Sequence, residues 1–131
     1  AYTGGTAEEW INYAFAPVPN YSAMGTYIGG GSTNVVVHTG FRPRFVMLKN
    51  TTSSNSTGAG WIMIDTERDI DNNAHNYLTA DTTASQGNTT VMDILSNGFR
   101  LTNPYTSTNA TGIKYFYYAV AESPFKHSRA R

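Results

Sequence analysis

The feature that most constrains this chain is how its apolar residues are parcelled into short β-branched or aromatic runs separated by turn-forming residues. Residues 24–28 stop at Gly29-Gly30-Gly31, and the run 35–39 stops at Gly40. Residues 44–49 alternate Phe45 and Met47 against Val46 and Leu48, so both faces of that segment are expected to be covered. A further apolar run occupies 61–64, while 91–95 and 99–101 flank Ser96-Asn97-Gly98. Asn-Gly is the strongest short hairpin signal, because both residues tolerate positive φ. Runs of this length and spacing predict strands. The intervals 51–60 and 65–76 read as polar loops, the second with room for one helical turn. The expected fold is all-β, an antiparallel β-sandwich of jelly-roll or lectin-like type.

Composition agrees, and it excludes several partners. Charged residues fill 14% of the 131 positions, against roughly 25% in an average soluble protein. Thr, Ser, Asn and Gly take their place, with nine Tyr and six Phe, residues of strands and of the turns between them. Nine basic residues balance nine acidic ones. Counterion release therefore cannot drive nucleic-acid binding, nor can charge hold the chain to an anionic membrane. No stretch approaches the roughly 18 apolar residues of a membrane-spanning helix, so membrane insertion is not expected. The absence of cysteine removes disulfides and thiolate metal sites.

The two ends of the chain resemble each other. Trp10-Ile11-Asn12-Tyr13-Ala14-Phe15-Ala16-Pro17-Val18-Pro19 aligns without a gap on Tyr115-Phe116-Tyr117-Tyr118-Ala119-Val120-Ala121-Glu122-Ser123-Pro124, 105 positions further on. Such a period suits a whole domain recurring in tandem. On this reading residues 1–21 hold the closing strand of a preceding unit or a linking strand, and 22–131 form one sandwich domain with a C-terminal linker. Thr6 and Glu9 form a capping box before Trp10 that would suit a helix. The match to 115–121 argues for a strand over 10–16 instead. Trp10, Ile11, Tyr13, Phe15, Tyr115 and Tyr117 are then the expected assembly residues.

Four phrases resemble tandem β-domains of phage tail-fibre-like virion surface proteins. They are Gly40-Phe41-Arg42-Pro43-Arg44-Phe45-Val46-Met47-Leu48-Lys49; Trp61-Ile62-Met63-Ile64-Asp65-Thr66 with Arg68; Leu95-Ser96-Asn97-Gly98-Phe99-Arg100-Leu101; and Tyr115 to Phe125. They occur in order and cover residues 10–128. Pro17 departs from the pattern, standing where a Glu is expected. The resemblance implies a lectin-type or jelly-roll fold, a virion-surface or extracellular location, and assembly with copies of itself or neighbouring virion proteins.

The vocabulary of catalysis is thin. There is no Cys and no Gly-x-Ser-x-Gly elbow, and His38, His75 and His127 sit in separate segments. No His pair has zinc spacing, so no metal or cofactor is expected. Paired carboxylates in the stretch holding Asp65, Glu67, Asp69 and Asp71 are the one catalytic option, and local pairing of Asp65 with Arg68 is the simpler reading. Asp69-Ile70-Asp71-Asn72-Asn73 offers oxygen ligands to calcium, but it lacks the glycine and terminal glutamate of an EF-hand loop. Five Asn-x-Ser/Thr triplets, at Asn20, Asn50, Asn55, Asn88 and Asn109, read as turn chemistry. For binding, flat rings beside planar polar groups suit sugars. That makes Tyr105, Tyr77, Asp65, Arg68, Asp69, Asp71, Asn72 and Asn73 the candidate contacts to a host-surface glycan, with Trp61 assigned to packing. The expected function is that of a non-enzymatic, tail-fibre-like structural domain with glycan contact through loops. A purely structural capsid-decoration or filament subunit assembling by strand addition comes second, and a polysaccharide-degrading enzyme last.

Overall fold

The computed structural model describes residues 12–52 and 60–124. These form eight strands and no helix: β1 (Ser22–Ile28), β2 (Val35–His38), β3 (Pro43–Asn50), β4 (Trp61–Asp65), β5 (Ala74–Thr79), β6 (Gly87–Leu95), β7 (Gly98–Leu101) and β8 (Lys114–Ala121). All pair antiparallel in one sheet of order β1-β8-β3-β4-β5-β6-β7-β2. The all-β expectation holds, but the strands make one nearly closed, barrel-like sheet and not two separate ones. β5 is the reason. Its Leu78 and Thr79 pair with β4, while Ala74, Asn76 and Tyr77 pair with β6 across a register shift. A strand that changes partner at a bulge turns a corner without breaking the hydrogen-bonded ladder.

Chain length forces the curl. Laid flat, eight strands would place β1 and β2 about 34 Å apart. The link between them, residues 29–34, could span at most about 25 Å even if fully extended. It is not extended, since Thr33 N–H donates to the Gly30 carbonyl and Gly31 has φ +66°. The two edges must therefore approach, which brings the β1/β8 side of the sheet over β7. Aromatic rings fill the space between. Tyr27 of β1 stacks on Tyr115 of β8 at 5.2 Å and meets Phe99 of β7 edge-on at 6.3 Å. Phe99 also meets Tyr117 of β8 edge-on at 5.7 Å. Val46, Leu48, Ile62 and Ile64, fully buried on β3 and β4, continue this interior.

The loop between β7 and β8 seals one end. Thr108 and Asn109 on it are completely buried. Asn109 acts as a surrogate peptide: its Oδ1 accepts Gly30 N–H at 2.9 Å and its Nδ2 donates to the Gly31 carbonyl at 2.9 Å. Two core phenols reach the same loop. Tyr27 donates to the Thr108 carbonyl at 2.6 Å, and Tyr115 donates to that of Thr106 at 2.7 Å while accepting Ala110 N–H at 2.9 Å. Burial pushes the pKa of both phenols up, so they remain donors throughout the physiological range. The polar triplets at Asn50 and Asn109 are thus interior, closed to any glycan attachment.

Several local expectations need correction. Residues 74–79 are a strand, not the end of a polar excursion, and the helical turn expected there is a series of turns and bends. The Ser96-Asn97 hairpin forms with Leu95 opposite Gly98, but neither Asn97 nor Gly98 takes positive φ. Gly98 is required for a different reason: a Cβ there would lie 2.0 Å from the Val37 carbonyl oxygen of β2. The expected strand over residues 10–16 is not seen in its described part. Residues 12–17 have no strand pairing, and the chain meets the sheet only at a Val18–Ser22 bridge, turned by Pro19 and by Asn20 at φ 60°.

Because Phe99 alone touches rings from both β1 and β8, Phe99→Ala should lower the unfolding free energy by about 3–5 kcal/mol. Ile70→Ala, at a side chain 87% exposed, should change it by less than about 0.5 kcal/mol. Denaturant midpoints at constant m-value check both.

Candidate functional site

The β4–β5 loop, residues 66–73, carries most of the candidate contacts, and the structure shows how each is held. Asp65 closes β4 and accepts Arg68 N–H at 2.8 Å and its Nε at 3.3 Å, while Arg68 Nη1 donates to Gln86 Oε1 at 2.7 Å. Asp69 receives the backbone N–H groups of His75 and Asn76 on Oδ2, at 3.0 and 2.7 Å, and Asn76 Nδ2 on Oδ1 at 2.7 Å. It thereby organises the first residues of β5. Asn72 extends that strand's ladder by one rung: its amide accepts Ile94 N–H at 2.8 Å and donates to the Ile94 carbonyl at 3.0 Å. Asn73 makes the turn into β5 with φ 72°, and Asp71 stays on the surface.

Asp65, Asp69, Asp71 and Asn72 do line one concavity, together with Arg42 and Ile94. Its volume is near 10 Å³, room for about one water and far from a sugar ring. Glycoside hydrolysis needs a substrate-sized gap between two carboxyls, one with a raised pKa. Here Asp65 and Asp69 each already accept hydrogen bonds from the loop. Among the described residues, no three His, Asp or Glu side chains gather as a metal site.

Tyr77 and Tyr105 come together away from this loop. Their rings lie 5.9 Å apart and their hydroxyls share a hydrogen bond of 3.1 Å, with both rings packed against the core. Tyr77 lies over the bare backbone of Gly87 opposite, where a Cβ would come within 2.2 Å of its ring. Its pKa is pushed up to about 12, first by the hydrogen bond to Tyr105 and then by burial.

The assembly candidates divide. Tyr115 and Tyr117 point into the barrel and are core residues, which corrects their assignment to an external surface. In β8 the outward positions are Phe116, Tyr118 and Val120. Tyr13 and Phe15 are 79% and 64% exposed, and the Phe15 ring sits 5.4 Å from that of Tyr118. Trp10 and Ile11 lie outside the described residues.

Residues 2–124 match the model of a domain of unknown function, DUF7483, a span that takes in all eight strands. The chain belongs to the DUF7483 family. No curated protein and no solved structure matches it. One polar feature of this DUF7483 domain escaped sequence reasoning. Asp93, with a side chain 5% exposed, receives Nε (2.8 Å) and Nη2 of Arg100 on one oxygen. A charge inside the apolar run 91–95 was the available signal. A two-residue turn at Ser96-Asn97 sets Asp93 and Arg100 directly opposite each other.

Tyr105→Phe should return the Tyr77 titration from about 12 toward its ordinary 10.0, read from ring chemical shifts of labelled tyrosine. The sign for stability follows from the raised folded value. The contribution is complete below about pH 10, where the unfolded phenol is still protonated, and it is lost as pH rises through the folded pKa.

Proposed function

We propose that this DUF7483 domain is a non-catalytic building module of a virion surface protein, tail-fibre-like in character, displayed in repeated copies. The observation that carries the reading is how the loop polar groups are employed. Asp65, Arg68, Asp69 and Asn72 are each held by partners within the protein, in an arrangement that stabilises a shape and leaves a concavity for about one water. The tail-fibre resemblance adds support, because its phrases fall on β3, β4, the β6–β7 hairpin and β8, the strands that make the barrel wall. Contact with a host-surface glycan would run through Tyr105 and Tyr77, whose paired hydroxyls offer a donor and an acceptor beside apolar ring area. Display in many copies raises weak contacts of that kind without new interactions.

Antibodies raised against the domain should label intact virions on the fibre or its tip in electron micrographs. Label confined to the capsid would favour the decoration-subunit alternative, and unlabelled particles would overturn the virion reading. Turnover of host polysaccharide, lost on Asp65→Asn or Asp69→Asn, would overturn the non-catalytic part. On an array of host glycans, any signal should vanish with Tyr105→Ala.

A further inference from the structure

The outside of the sheet carries an apolar row that crosses five strands. Met24 lies opposite Tyr118, Tyr118 opposite Met47, Met47 opposite Met63, and Met63 opposite Leu78. Their chain neighbours Tyr117, Leu48 and Ile62 point into the barrel, so alternation turns this row outward. All five members are half-buried. One register step away, Phe116 and Trp61 meet edge-on at 6.5 Å. Antiparallel sheets with one wet face alternate apolar-in with polar-out, and these strands do not. Three of the four methionines stand in the row and the fourth, Met92, is in the core. Methionine suits a surface that must fit an irregular cover.

We propose that the chain's own N-terminal segment, residues 1–11, lies across this row and covers it, with Trp10 and Ile11 as its anchors. The described chain already leads there: the Phe15 ring sits 5.4 Å from Tyr118, the second member of the row. Asn12, three residues earlier, is where the described residues begin. The row spans four interstrand steps, about 19 Å. Eleven residues reach up to about 40 Å, enough to cross it with length to spare. Charge is complementary as well. Glu8 and Glu9 precede Trp10, and Lys49 stands beside the row with its ammonium 5.9 Å from the centre of the Trp61 ring. The inference requires no virion. It makes the unit self-covering, with its first residues serving its own outer wall and not a neighbour's sheet.

Peroxide footprinting of the full chain tests this, with Met92 as the buried internal reference. In the double variant Trp10→Ala, Ile11→Ala, sulfoxide formation at Met47 and Met63 should rise several-fold while that at Met92 stays unchanged. Protection in the parent chain should not vary over two orders of magnitude in protein concentration. Equal rates in parent and variant would overturn the proposal. So would protection that weakens on dilution, which would assign the row to a second copy. Should Met92 also accelerate, meaning that the variant has unfolded, Trp61→Phe leaves Trp10 as the single indole of an otherwise intact chain. Blue-shifted emission that resists iodide quenching is then expected, and solvent-like emission overturns the proposal.

Discussion

An open sheet of eight strands can close on itself only if its interior is filled, and here four aromatic rings do most of the filling. Tyr27 and Tyr115 stack, and Phe99 turns its edge to Tyr27 and Tyr117. These rings belong to β1, β8 and β7, strands on the two sides of the gap between the edges. The contact substitutes for hydrogen-bonded pairing between β1 and β2, which does not occur. The phenol oxygens of Tyr27 and Tyr115 then hold the backbone of the sealing loop. A buried carbonyl without a donor costs about 1–3 kcal/mol, so the position of that loop and the ring stack depend on each other. Asn109 fastens the same loop to the turn joining the two edge strands.

The polar loop between β4 and β5 obeys the same economy. A segment leaving the sheet at Asp65 and returning at Ala74 must satisfy its own backbone groups and those it uncovers on β6. Asp69 accepts two N–H groups at the start of β5, and Asn72 takes the place of a peptide opposite Ile94. The side chains that look like ligands in the sequence thus substitute for missing backbone partners. This employment separates a loop rich in acids and amides from a site that acts on something else, and it underlies the reading of the domain as a builder.

The outer wall departs from that economy. The β1–β8–β3–β4 half of the sheet is apolar on both faces, with tyrosine, phenylalanine and methionine outside and branched aliphatics inside. The entering chain, bent by Pro19 and Asn20, brings Phe15 onto Tyr118. Similarity between residues 10–16 and 115–121 therefore does not by itself imply equal roles. In β8 those residues lie in a ladder between β1 and β3, whereas the described residues 12–16 have no ladder at all.

Much of the strand inventory was legible in the chain. The short runs at 24–28, 35–39, 44–49, 61–64, 91–95, 99–101 and 115–121 all became strands, because β-branched and aromatic residues bounded by glycine and asparagine have little other use. β5 was missed because Ala-His-Asn-Tyr-Leu-Thr is polar by composition, and its pairing rests on Asp69 and on the neighbour it corners against. The same local signals placed Tyr115 and Tyr117 on a strand but could not say which face looked inward, since both faces of β8 are apolar. What the residues alone determined was an antiparallel all-β chain with its turns and without charge to spare. Only the tertiary structure decided that the sheet closes as one barrel and that its polar loops serve themselves. Closure depends on contacts between strands far apart in sequence, and no local pattern encodes which distant ring will fill the space.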